Sequence, residues 1–168
     1  DVRCVVVTGS GNAFCAGGDV KAMSDVNTKG AASPLEILIH RQRLNQRSTS
    51  GRLNKMPKPT LAVIAGPAAG AGLSIALACD LRIMSSTAFM TTAFAKVGFS
   101  GDYGGTLFMS QLVGTAKARE LYFLSERIGA EEAERLGLTN WVVAPEDLEQ
   151  RAIEIAQKLA SGPTVAFS

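Results

Sequence analysis

One histidine, His40, and three cysteines, Cys4, Cys15 and Cys79, are all the imidazole and thiol metal ligands the chain offers, and no cysteine stands in a CxxC or CxxxH spacing. A structural zinc or a transition-metal centre is left without ligands, so metal-free chemistry is expected. An odd cysteine count without framework spacing fits a reducing compartment, which makes a cytoplasmic setting the expectation. Charge of one sign is scarce too: 17 basic against 15 acidic residues leave a formal net charge of +2. That field is too weak to draw the chain onto a polyanion, and basic and aromatic residues do not interleave, so nucleic acid is not an expected partner. The opening DVRCVVVTG has no basic region ahead of an apolar stretch and no small-residue cleavage site, so it is not read as a secretory signal.

What is present is a glycine-rich globule. The 168 residues are 46% hydrophobic and 19% charged, with 17 glycines, a composition that excludes a disordered tail, a collagen and a charge-stabilised coiled coil. A chain of this length buries roughly 68 to 70% of its unfolded surface and holds a core without staples, so one domain over residues 1–168 is expected. The sequence starts without methionine inside a strand pattern and closes on SGPTVAFS, which reads as the opening of another helix; the domain is therefore expected to be incomplete at both ends.

Residues 59–79, PTLAVIAGPAAGAGLSIALAC, are uncharged over a length that just spans a bilayer. Pro67 and the glycines Gly66, Gly70 and Gly72 divide this window into a β-branched run and a small-residue run. That is the pattern of a buried strand, a tight turn and a buried helix, and no membrane span is expected.

Periodicity then places the remaining elements. Residues 2–7 form an apolar run suited to a parallel strand covered on both faces. Leu35, Leu38, Ile39 and Gln42 follow the i, i+3, i+4, i+7 template, apolar except at the last, and predict a helix over 35–56 that frays around 48–51 and stops at Pro57 and Pro59. Strands are expected at 61–65 and 81–84, an extended piece near Phe89 and a helix at 71–79. Further helices are expected near 103–112, 115–124 and 131–136, then a strand at 138–143 and a last helix over 145–160 with Glu146 and Asp147 in its first turn. Strands alternating with helices predict an α/β fold with a largely parallel sheet.

Both glycine turns follow strands, yet neither fits a nucleotide loop. In Gly9-Ser10-Gly11-Asn12-Ala13-Phe14 the third glycine of GxGxxG is replaced by Phe14. Gly66-Pro67-Ala68-Ala69-Gly70-Ala71-Gly72 lacks the Lys-Ser/Thr pair that would hold a phosphate and magnesium. NAD and ATP are therefore not expected. Each turn hands bare backbone N–H groups to the next segment of chain, an anion-binding geometry. Either the glycines only let the chain turn, or the two turns face each other and their N–H groups near Gly18 and Ala71 converge on one oxygen.

Phe14-Cys15-Ala16-Gly17-Gly18-Asp19, followed by Lys58-Pro59-Thr60-Leu61-Ala62-Val63-Ile64 and by Gly66 to Gly72 running on to Ala78-Cys79-Asp80, resembles the enoyl-CoA hydratase/isomerase (crotonase) superfamily. The similarity continues through Gly104-Gly105-Thr106, Leu112-Val113-Gly114, residues 116–120 and residues 128–143. The resemblance implies a stacked β-β-α spiral around a core sheet, an acyl-CoA thioester as substrate, no metal or redox cofactor beyond the coenzyme A that the substrate carries, and a homotrimer or hexamer. It also implies an oxyanion hole made by the N–H groups of Gly18 and Ala71, with Ala16, Asp19, Met23, Ser74 and Phe94 lining the substrate site. Pocket length is expected to depend on residues 23–33.

The chain departs from the family at its acids. Hydratases of the family carry glutamates at the positions held here by Ser74 and Phe94, and neither replacement can activate water. Asp102, in Gly98-Phe99-Ser100-Gly101-Asp102-Tyr103-Gly104-Gly105, matches the place of a working aspartate in members that shift double bonds. One acid suffices for that chemistry: it removes a proton from one carbon and returns it to another while an enolate waits in the oxyanion hole. Isomerisation is therefore expected over hydration, with a silent acyl-CoA binder as the remaining alternative. Asp102 also suits the cap of the following helix, and the two roles are compatible. Ser74 either lines the acyl pocket or packs in its helix. Glu120 reads as a surface partner of Lys117. The basic run Arg41, Arg43, Arg47, Arg52, Lys55 and Lys58 reads as a solvated face or as contacts to coenzyme A phosphates, with Lys21 and Lys96 as further candidates. Dehalogenation, which pairs an aspartate near this place with a histidine base, lacks its histidine.

Overall fold

The computed structural model describes residues 1–18 and 34–167. β1 (Val5–Thr8) leads to α1 (Leu35–Ser48) and the short α2 (Ser50–Asn54). β2 (Thr60–Ile64) passes through the two-residue β3 (Ala68–Ala69) into α3 (Ala71–Ala78). β4 (Leu81–Ser85) passes through β5 (Phe89–Thr91) and a 3-10 turn at Phe94–Val97 into α4 (Gly105–Leu124). β6 (Ile128–Gly129), α5 (Ala130–Arg135), β7 (Trp141–Val143) and α6 (Leu148–Ser161) complete the order. The two central passes, β2-β3-α3 and β4-β5-α4, thus each contribute a strand to one sheet, a short strand to a second sheet, and then a helix. The result is the β-β-α spiral that the resemblance implies. The described strands form a 4-stranded sheet in the order β1-β2-β4-β7, all parallel, and a 3-stranded sheet in the order β3-β5-β6.

β2 shows why the uncharged window folds as it does. Its side chains alternate between two cores: Ala62 and Ile64 join Phe14, Leu73, Leu77, Met84 and Met109 on one face, and Leu61 and Val63 join Ile83, Leu148, Ala152 and Ile155 on the other. A strand covered on both faces needs a continuous apolar run, and β2 supplies one. Among the described residues no helix is long and apolar enough to cross a membrane.

The Asp80 of the family-like stretch has a structural task. Its carboxylate accepts from the Thr60 N–H at 2.8 Å and the Thr60 hydroxyl at 2.6 Å, and its own N–H donates to the Thr60 hydroxyl oxygen at 2.8 Å. This exchange ties the end of α3 to the start of β2. Buried Arg82 adds a second tie, donating to the Leu138 carbonyl at 2.8 Å and the Cys79 carbonyl at 2.6 Å.

Three expectations shift, and a fourth holds. Strand 2–7 narrows to β1, and its burial alternates, with Val6 45% exposed, because it is the edge of the sheet rather than an interior strand. Helix 35–56 breaks at Thr49, inside the expected fray, where φ of −109° and ψ of −98° are not helical, and its second piece ends at Asn54. The helices expected at 103–112 and 115–124 do form as two helical stretches of α4, separated at Gly114, whose φ of 76° and ψ of 161° are not helical. Strand 138–143 shortens to β7: Leu138 and Thr139 instead donate their N–H groups back to the Ala133 carbonyl at the end of α5.

Candidate active site

The chain leaving β1 returns alongside the turn at the end of β2. Phe14 and Cys15 both donate their N–H groups to the Pro67 carbonyl at 3.1 Å, and the Ala69 N–H donates to the Cys15 carbonyl at 2.9 Å. Only glycine permits so close a fit at Gly72, where a Cβ would collide with the Cys15 carbonyl oxygen and lie 2.6 Å from the Cys15 Cβ. Gly17 (φ +101°) is also tightly placed: a Cβ there would lie 3.1 Å from the Ala69 carbonyl oxygen and 3.8 Å from the Ala71 nitrogen. The two glycine turns therefore lie against each other, and Gly18, exposed, directly follows the residue in contact. Ala16, also exposed, precedes it. The Gly70 N–H is taken by the Thr91 carbonyl at 3.1 Å. Ala71 is the first residue of α3, so its N–H has no acceptor within the helix, and the positive end of the helix dipole lies there. Asp19 and Met23 lie outside the described residues.

The Phe94 ring stands between this turn and the loop that carries Asp102. A Cβ on Gly70 would lie 3.8 Å from the ring, and one on Gly101 would lie 3.7 Å from it. Phe94 is buried and stacks on Tyr122, with ring centroids 6.0 Å apart and planes 2° from parallel. The Tyr122 and Ser74 hydroxyls both flank Gly105, where a Cβ would collide with each of them. Ser74, fully buried, also donates to the Gly70 carbonyl at 3.3 Å. Burial pushes the Tyr122 phenol up to about 12, so it stays a neutral hydrogen-bonding group. Positions 74 and 94 thus hold a hydroxyl and an aromatic ring, with Tyr122 stacked on the ring and, like Ser74, set beside Gly105.

Asp102 is half-buried, and its two oxygens differ. Oδ2 accepts a hydrogen bond from Gln42 Nε2 at 3.2 Å. Oδ1 is closed off from solvent and has no hydrogen-bond partner among the described residues. Burial raises the carboxyl above the usual range, against the opposing pull of the Gln42 hydrogen bond. The capping role expected of the Asp102 side chain does not form. α4 begins at Gly105, its cap is Gly104 (φ 74°), and no side chain bonds there; Asp102 contributes only its main-chain carbonyl, which accepts from the Gly105 N–H at 3.0 Å. Tyr103 beside it adopts φ 49°, a left-handed conformation that costs a non-glycine residue about 1–2 kcal/mol. Strain of this kind persists where surrounding structure enforces it, and it collects at functional sites.

Two residues of this cluster, Gln42 and Tyr122, escape a reading of the sequence. Gln42 left a trace as the polar exception in an otherwise apolar template. Tyr122 left none. The remaining candidates are solvated: Lys117 pairs with Glu120 at 2.7 Å on an exposed helix face, and His40, Arg41, Arg43, Arg47, Arg52, Lys55 and Lys96 are exposed. Lys58 is half-buried, and Lys21 lies outside the described residues. The three cysteines are free thiols, and burial pushes Cys79 up to about 11.

The enoyl-CoA hydratase/isomerase family model matches residues 1–168, the whole chain. The chain belongs to the enoyl-CoA hydratase/isomerase family. It is 37% identical over 167 residues to the short-chain-enoyl-CoA hydratase of Clostridium acetobutylicum, covering 99% of this chain and 61% of the relative. It is 36% identical over 163 residues to the 1,2-epoxyphenylacetyl-CoA isomerase of Escherichia coli K12, covering 97% of this chain and 61% of that protein. A crystal structure of an enoyl-CoA hydratase from Polaromonas sp. JS666 shares the fold with a TM-score of 0.86 at 33% identity, over 96% of this chain and 61% of that one. The chain spans about three fifths of the length of the curated relatives it matches. Relatives with two differently named reactions stand within a percentage point of each other, so within the enoyl-CoA hydratase/isomerase family overall identity does not choose the reaction.

Proposed function

We propose that this family member shifts a double bond in an enoyl-CoA, with Asp102 as the single acid-base and the N–H groups of Gly18 and Ala71 as the oxyanion hole. The observation that carries this reading is the buried, unpartnered Oδ1 of Asp102, set beside a Ser74–Tyr122–Phe94 cluster that offers no carboxylate to a water. Asp102 removes a proton from C2 of a 3-enoyl-CoA. The electron pair moves onto the thioester oxygen as an enolate, held by the two main-chain donors. The same carboxyl then returns the proton to C4, leaving the double bond between C2 and C3. The proton balance closes on one residue, and neither metal nor redox carrier enters; coenzyme A arrives as part of the substrate. Ala16, Asp19, Met23, Ser74 and Phe94 belong to the proposed substrate site, and the complete protein is proposed to act as a cytoplasmic homotrimer or hexamer.

Hydration of a 2-enoyl-CoA is the second reading, favoured by the 37% identity to a protein named for that reaction. Steady-state assays of the complete protein on 3-enoyl-CoA and on crotonyl-CoA separate the two. Double-bond migration, lost in Asp102→Asn, is the expected result. Efficient hydration of crotonyl-CoA with no double-bond shift overturns the isomerase reading, and full activity of Asp102→Asn removes Asp102 from the chemistry.

A further inference from the structure

α1 buries none of its residues fully. Its half-buried positions are Leu38, Gln42 and Gln46, one per turn, so Gln42 sits mid-way along the strip that faces the rest of the molecule. From there its Nε2 reaches Asp102 Oδ2 at 3.2 Å, joining two residues 60 positions apart. An ionised carboxylate only accepts hydrogen bonds, so the amide must present its N–H₂ end, and this fixes the sense of both groups. The contact makes the two carboxylate oxygens unequal: one is tied to α1, and the other is buried without a partner among the described residues.

We infer that Gln42 is a positioning residue, which pins Oδ2 of Asp102 so that Oδ1 is the oxygen that takes and returns the substrate proton. The inference rests on the reading of Asp102 as the acid-base. It adds that α1, lightly held and remote in sequence, sets the orientation and acidity of that group. Proton transfer between two carbons of one substrate needs a base that presents one oxygen to both sites, and a carboxylate free to rotate would lose that alignment. Among the described residues, the titratable groups that face Asp102 are Tyr103 on its own loop and Tyr122 from α4; burial, and the charge of Asp102, raise both phenols, so neither ionises where the carboxyl does.

The test is the pH dependence of kcat/KM and kcat for double-bond migration in a 3-enoyl-CoA, on the full chain, in four proteins: the parent, Gln42→Met, Gln42→Glu and Asp102→Asn. Gln42→Met keeps the length and removes the donor, so the acid limb of kcat/KM is expected to rise by about one pH unit, while kcat falls about tenfold and KM changes by less than about twofold. Gln42→Glu keeps length and polarity but sets two carboxyls to share one proton, so its acid limb is expected to rise further. Gln42→Met with the parent's acid limb and kcat, beside an inactive Asp102→Asn, overturns the positioning role and leaves the acid-base reading standing. Fully active Asp102→Asn overturns that reading and the inference with it. If Gln42→Met loses its folded fraction, Gln42→Glu carries the test, and an acid limb coinciding with the parent's overturns the positioning role.

Discussion

At the glycine turns main chain packs on main chain: Phe14, Cys15, Pro67 and Ala69 are joined through N–H and C=O groups, and Gly72 lets Cys15 approach where a Cβ would collide. On the acid side, a few ångströms away across Phe94, side chains from α1, α3, α4 and two connecting segments meet as Gln42, Ser74, Tyr122, Phe94 and Asp102. The first region carries no side-chain chemistry, so a substitution disturbs it only by changing the backbone or by adding a Cβ where a glycine lets two chains touch. The second is nothing but side chains, and each can be exchanged without refolding the turn. One arrangement therefore suits a task common to every thioester substrate, holding a charged oxygen, and the other suits the choice of reaction.

The largest effect is expected on the side-chain region. Asp102→Asn should lower turnover by about 10²–10⁴-fold, the range that general acid-base catalysis supplies. It should do so without loss of stability. Because the folded carboxyl is raised, the folded state holds its proton more tightly than the unfolded chain does. The stability associated with this group is thus greatest below the ordinary carboxylate range and falls as pH rises through the folded value. The Asn variant escapes that fall, so at neutral pH its melting temperature should equal or exceed the parent's. A variant that loses activity and melting temperature together would make Asp102 a structural group.

In the backbone region only proline removes a main-chain donor. Ala71→Pro removes an N–H that α3 does not use, at a helix position proline tolerates. If that N–H holds the thioester oxygen, turnover should fall about 10²–10³-fold in a protein whose circular dichroism and thermal melt match the parent's. Full turnover in a well-folded Ala71→Pro would reduce the turn to a packing device.

The same contrast decides what the sequence reveals. β2 and α3 are legible because strand, turn and helix are contiguous, and each signal, the β-branched run, the glycines and the small residues, acts on its own neighbours; β3, read as part of the turn, is a strand only through its pairing with β5. The turn motifs are legible for the same reason. The Gln42–Asp102 contact spans 60 positions, and no local pattern encodes it. Tyr122 is hidden likewise, since its ring meets Phe94 only after β5 and α4 have packed. Periodicity also misjudges α1. The template calls Leu35 and Ile39 inward, yet Leu35 is 71% exposed and Ile39 43%, because a helix with apolar residues on several sides does not say which side its neighbours will cover.

A smaller effect measures how tightly the turns are joined. Alanine favours a helix over glycine by about 1 kcal/mol, so on propensity alone Gly72→Ala should stabilise α3. The Cys15 main chain in its path cannot rotate away as a side-chain tip would, and overpacking of this kind costs about 1–3 kcal/mol. A net fall in the urea midpoint is expected, and a rise would separate the two turns.

The smallest effect is expected at Glu120, and it sharpens the comparison by marking where the site ends. Its carboxylate meets Lys117 one turn back on α4, with side chains 50% and 35% exposed. Solvent and salt screen such a pair, so its net contribution is about 0.2–1 kcal/mol. Tyr122, two residues further along the same helix, is turned inward against Phe94. Helical geometry places residues two apart on different faces, so the acid outside cannot serve the cluster inside. Glu120→Gln should leave kcat, KM and the acid limb unchanged and lower the melting temperature by a degree or two at low salt, less at high salt. A change in kcat would extend the catalytic cluster to the outer face of α4 and end the distinction between a solvated face and a reacting one.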